Sequence, residues 1–283
     1  MKHVILSVLL FCFMGSMAVP TRSSVSARQS AIISDGEDVS IPYVTEGLIA
    51  MWDGEWNAGL GEHDNTTTTW KDLIGDNDLS YLYTLIAERR YWLNNGFYQW
   101  ESGSLYWRAI PSTLLVSILK DGLPFTVEVV AMVNAIPSSA NSSLINIADG
   151  AQSTGMCISY NGTSFMSGCK DSWGGQTGIA IAKSTWDYIG LPFYGGIVMN
   201  GAGKNGLIFF KTLNGEVSAS SSAIVQNQLT INLTKMVIGA YAWSAISSRN
   251  HRGVMYCIRI YNRALSDDEL DFNYLVDKER FGQ

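Results

Sequence analysis

A dense group of oxygen-bearing side chains lies between residues 53 and 78 of this chain. Carboxylates at this density can hold a hard cation such as Ca²⁺, which takes roughly six to eight oxygen ligands. We expect four of them to take part: Asp53, Glu55, Asp64 and Asp72. Their spacing is not that of an EF-hand, and a solvated acidic loop is the alternative interpretation. Calcium is the one cofactor that the sequence suggests, and none is required.

Aromatic residues beside small or polar neighbours form a second candidate site. Sugar recognition needs flat apolar rings next to hydrogen-bonding groups. Trp173 precedes Gly174-Gly175 and Trp243 precedes a serine, so a ligand can approach both rings closely. Trp56 and Tyr194 stand beside similar residues in predicted loops or strand ends. These four rings are predicted to contact a ligand, with ordinary rim packing as the competing interpretation.

The motifs of common hydrolases are absent from the sequence. There is no Gly-x-Ser-x-Gly and no His-Glu-x-x-His, and only His63 and His251 follow residue 18. Catalysis through histidine is therefore not expected. A dispersed pair of carboxylates acting on a glycosidic bond stays open as an alternative.

The end of the chain predicts a strand followed by a capped helix. Val254–Tyr261 is β-branched and aromatic almost throughout, which is typical of a strand buried on both faces. Ser266 can cap the next helix, and Glu269 can complete a capping box. We expect this helix to run from about Asp267 to Arg280.

Many other short apolar runs are separated by turn signals. Phe125–Val133 is the strongest, because only Glu128 interrupts its two apolar faces, and it is predicted at the centre of a sheet. Asn161-Gly162 and Asn214-Gly215 are dipeptides that tight hairpins prefer. Together these signals favour an all-β fold, a two-sheet antiparallel sandwich with a short C-terminal helix.

Two segments resemble the LamG-like jelly-roll family of the concanavalin A-like lectin/glucanase superfamily. One is Ile258-Arg259-Ile260-Tyr261-Asn262-Arg263-Ala264-Leu265-Ser266 with its helix; the other is Gly47-Leu48-Ile49-Ala50-Met51-Trp52-Asp53-Gly54, followed by Trp70-Lys71-Asp72-Leu73. The resemblance implies a jelly-roll sandwich over about Thr45 to Gly282, and some relatives bind calcium. Glucanases of this superfamily carry Glu-x-Asp-x-x-Glu on one strand. Here the nearest match, Glu269-Leu270-Asp271, has Tyr274 in the last position and lies on the predicted helix.

The beginning of the chain predicts export. Lys2-His3, the apolar run Val4–Phe13 and the small residues Ser16-Met17-Ala18 are typical of a secretory signal peptide over residues 1–18. The apolar run is too short to span a bilayer. Residues 19–44 are rich in serine and predict a flexible linker, and residues 45–283 form the single sandwich domain. The protein is thus expected to be secreted, or periplasmic in a Gram-negative source, without membrane insertion.

Cysteine pairing in the exported part is left open by the sequence. Cys157 and Cys169 flank a predicted hairpin and can pair if its loop centres near Thr163. A tight turn on Asn161-Gly162 places Cys157 opposite Met166 instead. The third cysteine, Cys257, is most simply a small core residue of the terminal strand.

The net charge of the chain limits the classes of partner that the protein can bind. The formal net charge is −6, and removal of Lys2 with the leader leaves 18 basic against 25 acidic residues, or −7. No cluster of Lys and Arg occurs, which argues against nucleic acid and anionic membranes. The sequence therefore predicts a secreted, non-catalytic binding or adhesion module whose partner is a glycan. The alternatives are a carbohydrate-active hydrolase with an atypical site and a structural sandwich that binds a cell-surface protein.

Overall fold

Apolar runs with strand periodicity pair into two antiparallel sheets, seen here in a computed structural model. The structure describes residues 40–81, 90–99, 107–136, 141–148, 155–170, 178–181, 187–225, 229, 232–240 and 250–282. Within them the strands, in chain order, are β1 (Leu48–Asp53), β2 (Thr69–Trp70), β3 (Leu79–Tyr81), β4 (Arg90–Leu93), β5 (Gly96–Gln99), β6 (Trp107–Ala109), β7 (Phe125–Val133), β8 (Ser142–Ala148), β9 (Gly155–Tyr160), β10 (Phe165–Lys170), β11 (Gly178–Ile181), β12 (Pro192–Met199), β13 (Asn205–Thr212), β14 (Ser218–Val225), β15 (Lys235–Ile238) and β16 (Gly253–Tyr261). The helices are α1 (Thr113–Asp121) and α2 (Asp267–Phe281).

The first sheet has the order β14-β13-β12-β7-β16-β5-β4, and the second has the order β11-β10-β9-β8-β15-β6-β3-β2. β1 also belongs to the first sheet and pairs with the C-terminal half of β16, from Tyr261 to Cys257. β5 pairs with the other end of the same strand, at Gly253 to Met255. The end of β1 and the beginning of β5 therefore meet along one side of β16.

The predicted two-sheet sandwich is confirmed, and both of its central strands lie where the sequence places them. Phe125–Val133 is β7, between β12 and β16, and every residue of β16 is buried. Inward side chains such as Val127, Val129, Ile258 and Ile260 pack against the second sheet. The opposite face of the first sheet is also covered, which explains why these strands are apolar on both sides.

The cover on that outer face is α2 together with residues 41–44. Ser266 caps α2 and Glu269 completes the capping box, as predicted. Leu270, Tyr274 and Phe281 of the helix are buried with Ile41 and Val44. Residues 41–44, which the sequence assigns to the end of the linker, thus pack against the domain, while residues 1–39 lie outside the described part of the chain. No helix among the described residues is long and apolar enough to cross a membrane.

No disulfide joins Cys157 to Cys169. The hairpin register pairs Phe165 with Tyr160, so that Cys157 stands opposite Gly168 and Cys169 opposite Met156. This register lies one residue from the one that the disulfide requires, and the two side chains point to opposite faces of the sheet. Cys257 is fully buried in β16, as predicted.

Candidate functional site

A buried ionic network joins α2 to the first sheet. Arg259 on β16 stands directly opposite Glu128 on β7, and its Nε donates to the Glu128 carboxylate at 2.6 Å. Its two terminal nitrogens donate to Asp277 on α2 at 2.9 and 2.6 Å. None of the three side chains is exposed. Glu128 and Arg259 therefore break the apolar pattern of their strands because they bind the helix.

Neighbouring side chains satisfy the remaining polar atoms of this network. Asn273 Nδ2 donates to both Glu128 oxygens, at 3.2 and 3.0 Å. Tyr43 donates from its hydroxyl to Asp277 at 2.8 Å, and its ring lies 4.0 Å from the Arg259 guanidinium carbon. The Tyr194 hydroxyl donates to Glu128. Buried charges are stable when all their polar atoms are hydrogen-bonded in this way, because burying an unpaired charge is energetically unfavourable.

Arg280, near the end of α2, extends the network to the surface. It donates to both oxygens of Asp53 at 2.7 and 3.0 Å, to the Tyr43 hydroxyl at 2.6 Å, and to Glu55 Oε2 at 2.6 Å. Its guanidinium carbon also lies 4.7 Å from the centre of the Trp56 ring. This one side chain thus fixes the end of β1 and the loop that follows it.

Burial and neighbouring charges both shift the pKa values of the groups in this network. Burial raises the pKa of Asp53 and of Asp277, although the facing guanidinium groups of Arg280 and Arg259 oppose the rise. Burial also works against the charge of Arg280, but Tyr43 and Asp53 outweigh it and raise its pKa. Arg280 therefore stays protonated and continues to bind Asp53 and Glu55.

A cleft of about 650 Å³ opens where β1 gives way to β5. We call it the β1–β5 cleft; its lining residues are Glu55, Asn65, Trp92, Leu93, Asn94, Asn95 and Arg280. Leu93 pairs with Gly96 across the β4–β5 hairpin, so Asn94-Asn95 forms its two-residue turn. The volume lies within the range of small-ligand sites, roughly 300–1,000 Å³.

The loop of residues 54–68, between β1 and β2, forms one wall of the cleft and is held by internal hydrogen bonds. Buried Asn57 exchanges hydrogen bonds with the backbone of Asp64, at 3.0 and 2.8 Å. His63 contacts the Glu55 carbonyl oxygen at 3.2 Å and the Asn65 side chain at 2.9 Å. Trp92 donates from its indole nitrogen to the Thr67 carbonyl at 3.0 Å. These bonds tie the loop to itself and attach it to β4.

Close backbone contact joins this wall to the hairpin. A Cβ atom on Gly54 would lie 2.5 Å from Gly96 Cα and 2.7 Å from the Asn95 carbonyl oxygen. Only glycine allows this approach. The contact sets Glu55, the next residue, beside the Asn94-Asn95 turn, so one cleft presents a carboxylate and three amide side chains.

The four carboxylates predicted to bind calcium are not gathered around one point. Asp53 and Glu55 share Arg280, whereas Asp72 accepts from the backbone nitrogens of Met51, Ile74 and Asn77 and from the Asn77 amide. Asp64 binds the backbone and side chain of Thr66. Within the described ranges, no group of three or more His, Cys, Asp or Glu side chains is arranged to hold a metal ion. These carboxylates shape the loop itself.

The four predicted aromatic contacts have different outcomes. Trp56 is half-buried beside the cleft, with Arg280 against its ring. Tyr194 is not at an exposed strand end as predicted; it lies within β12, is 3% exposed and bonds Glu128, because α2 covers that face of the sheet. Trp173 and Trp243 lie outside the described residues, so their role stays a prediction.

Two pairs of carboxylates are each bridged by one arginine, and neither pair is arranged for glycoside hydrolysis. Glu128 and Asp277 are both fully buried around Arg259. Asp53 is also fully buried, and only its companion Glu55 reaches solvent, with 47% of its side chain exposed. In most glycosidase families two carboxyl groups must both reach the scissile bond. These pairs serve the fold and the cleft wall.

No protein-family profile matches the sequence, and no curated protein is significantly similar to it. The fold is similar to that of Trypanosoma rangeli sialidase in complex with sialic acid, with a TM-score of 0.56 and 12% identity over 92% of this chain and 37% of the sialidase. It is also similar to the binding domain of botulinum neurotoxin serotype D/C, with a TM-score of 0.53 and 11% identity over 81% of this chain and 52% of that one. This chain therefore spans about a third of the sialidase and half of the toxin domain. At such identities the likeness shows the β-sandwich fold alone.

Proposed function

We propose that this protein is a secreted, non-catalytic module that binds a glycan in the β1–β5 cleft. The observation that carries the proposal is the convergence of Glu55, Asn65, Asn94 and Asn95 beside the apolar surface of Leu93. Saccharides present many hydroxyl groups on a partly apolar ring, and they need convergent polar groups next to such a surface.

The rigidity of the cleft wall supports binding. Arg280 fixes Glu55, His63 contacts Asn65, and the close approach of Gly54 to Gly96 sets the hairpin beside the loop. A site that is already ordered loses less conformational entropy when its ligand binds.

The likeness to a sialidase solved with sialic acid makes saccharides the first ligand class to test. Because that likeness concerns the fold, the location of the site rests on the cleft geometry. Export rests on the signal peptide predicted over residues 1–18. N-terminal sequencing of the mature protein from the medium or periplasm is expected to begin at Val19.

A glycan array followed by titration calorimetry with the strongest ligand tests the proposal. Asn94→Ala is expected to weaken binding about five- to tenfold, the effect of losing one hydrogen bond. Asn205→Ala, an exposed asparagine on β13 away from the cleft, is the matched control and is expected to change nothing. Equal affinity in the two variants would contradict this placement.

Trp173→Ala and Trp243→Ala belong in the same series, because the sequence predicts a site at those rings. If either change abolishes binding while Asn94→Ala does not, the ligand sits at the tryptophan and the β1–β5 cleft is not the site. Circular dichroism checks that each variant remains folded.

A further inference from the structure

The β1–β5 cleft contains one arginine, but that arginine is already fully engaged. Both terminal nitrogens of Arg280 donate hydrogen bonds, to Tyr43, Asp53 and Glu55, and only 13% of its side chain is exposed. Asp53, buried against it, matches its charge. An anionic ligand would have to displace Glu55 or Asp53 to bind this guanidinium, so Arg280 positions a wall and does not receive an anion.

The charge that faces the cleft is that of Glu55. Arg280 holds its Oε2, while Oε1 makes no hydrogen bond with any described residue, and nearly half of the side chain is exposed. Asp64 is exposed on the same loop, directly before Asn65 of the cleft lining, and adds negative charge nearby. The hydrogen bonds from Thr66 lower the pKa of Asp64 and keep it ionised. The open cleft therefore presents an acceptor in a negative field.

The other polar groups of the cleft are uncharged amides. The side chains of Asn94 and Asn95 make no hydrogen bond within the described residues, and Asn65 contacts His63 through one atom only. Each amide can both donate and accept. A carboxylate flanked by such amides matches neighbouring hydroxyl groups, which donate to the carboxylate and exchange bonds with the amides.

From these features, and on the basis of the proposed function, we infer that the β1–β5 cleft selects neutral saccharides and rejects acidic ones. Adjacent sugar hydroxyls donate to Glu55, and the amides of the hairpin turn bind the next hydroxyl groups. A saccharide carrying a carboxylate or sulfate brings a like charge to Glu55, and among the described residues that line the cleft the only cation, Arg280, is already paired. Rejection by an unmatched charge is a common source of specificity.

The second sheet offers a contrasting surface. Its outer groove, of about 590 Å³, contains Arg108 and Lys235 beside Asp76 and Asp78. Arg108 is exposed on β6 and makes no ion pair with a described residue. Arg108 is the group in this groove that we expect an acidic saccharide to need. The variant Arg108→Ala therefore tests whether acidic saccharides bind here.

The test compares neutral oligosaccharides with their sialylated or sulfated derivatives on the purified protein. We expect the acidic group to weaken binding about tenfold or more in the wild type. Glu55→Gln should weaken binding of the neutral parent about fivefold and bring the two affinities closer together. Glu62→Gln, which removes a charge from the same loop outside the cleft lining, should leave the ratio within about twofold. Thermal melting confirms that both variants are folded.

The outcomes separate this inference from the proposed function. Acidic derivatives that bind as tightly as their neutral parents would overturn the inference while leaving glycan binding intact. If Arg108→Ala then abolished binding of the acidic derivatives, their site would lie on the second sheet. An unchanged ratio in Glu55→Gln would also overturn it. If no saccharide of either class binds the wild type, the proposed function itself fails.

Discussion

Arg259 on β16 and Asp277 on α2 are joined by two hydrogen bonds, 2.9 and 2.6 Å long, with both side chains fully buried. Because Glu128 binds the third side of the same guanidinium, the helix is bound to both central strands of the first sheet. The same helix carries Arg280, which fixes the cleft wall through Asp53 and Glu55. The stability of the fold and the geometry of the candidate site therefore depend on one docked helix.

Removing one partner of the buried network should be costly. Asp277→Ala leaves Arg259 with an uncompensated charge on one side, and we expect the free energy of unfolding to fall by about 3–5 kcal/mol. Glu279→Ala, at an exposed position of the same helix, should change it by less than about 0.5 kcal/mol. Urea denaturation measures both, and equal effects would show that the network does not secure the helix.

The Tyr43 hydroxyl links residues 41–44 to the helix, since it donates to Asp277 and accepts from Arg280. Tyr43→Phe keeps the ring and removes both bonds, so the free energy of unfolding should fall by about 1–3 kcal/mol. In the control Tyr91→Phe, the lost hydroxyl makes no hydrogen bond with a described residue. A Tyr43→Phe protein as stable as this control would contradict the role of the hydroxyl.

His251 should make the fold sensitive to acid. It is fully buried, bonds Tyr160 through Nδ1, and burial lowers its pKa from 6.5 to about 4. Between these values the unfolded chain binds a proton that the folded chain does not, so stability is present above pH 6.5 and is lost as the pH falls. The loss from this group by pH 4.5 is about 2–3 kcal/mol.

The same measurement needs a variant, because buried acids act in the opposite direction. The raised pKa values of Asp53 and Asp277 make the folded state bind protons first, which adds stability as the pH falls. The difference between the wild type and His251→Gln cancels their effect. We expect the wild type to lose its advantage over His251→Gln between pH 7 and pH 4.5. A constant difference would show that His251 titrates normally.

The thiol state of the cysteines follows from the β9–β10 register. Because Cys157 and Cys169 point to opposite faces, a reductant should leave the midpoint of thermal unfolding unchanged. Alkylation in denaturant without reductant should modify Cys157, Cys169 and Cys257, as read by peptide mass spectrometry. A Cys157–Cys169 peptide linked by a disulfide would contradict the observed register.

Local signals explain what the sequence predicts well. β16 and β7 are long, β-branched and buried on both faces, and the capping box of α2 involves residues three positions apart. Such patterns need no knowledge of distant contacts. The disulfide question depended on a register shift of one residue, which turn dipeptides alone do not fix.

The candidate site depends on contacts between distant parts of the chain. Glu55 meets Asn94 and Asn95 because β1 and β5 share one side of β16, and Arg280 reaches Asp53 across 227 positions. The sequence identified Glu55 and Trp56 as candidates, whereas no local pattern indicated that Asn94 and Asn95 would lie beside them. The charged residues Glu128 and Arg259, standing alone in apolar strands, were the one available sign of the buried network.

Chemical-shift mapping tests the central claim, glycan binding in the β1–β5 cleft, most directly. Titration of ¹⁵N-labelled protein with the best neutral oligosaccharide should shift the side-chain amide signals of Asn65, Asn94 and Asn95 and the indole signal of Trp92, with those of Asn205 unmoved. Shifts confined to other surfaces, or no shifts at millimolar ligand, would contradict the assignment of this cleft as the binding site.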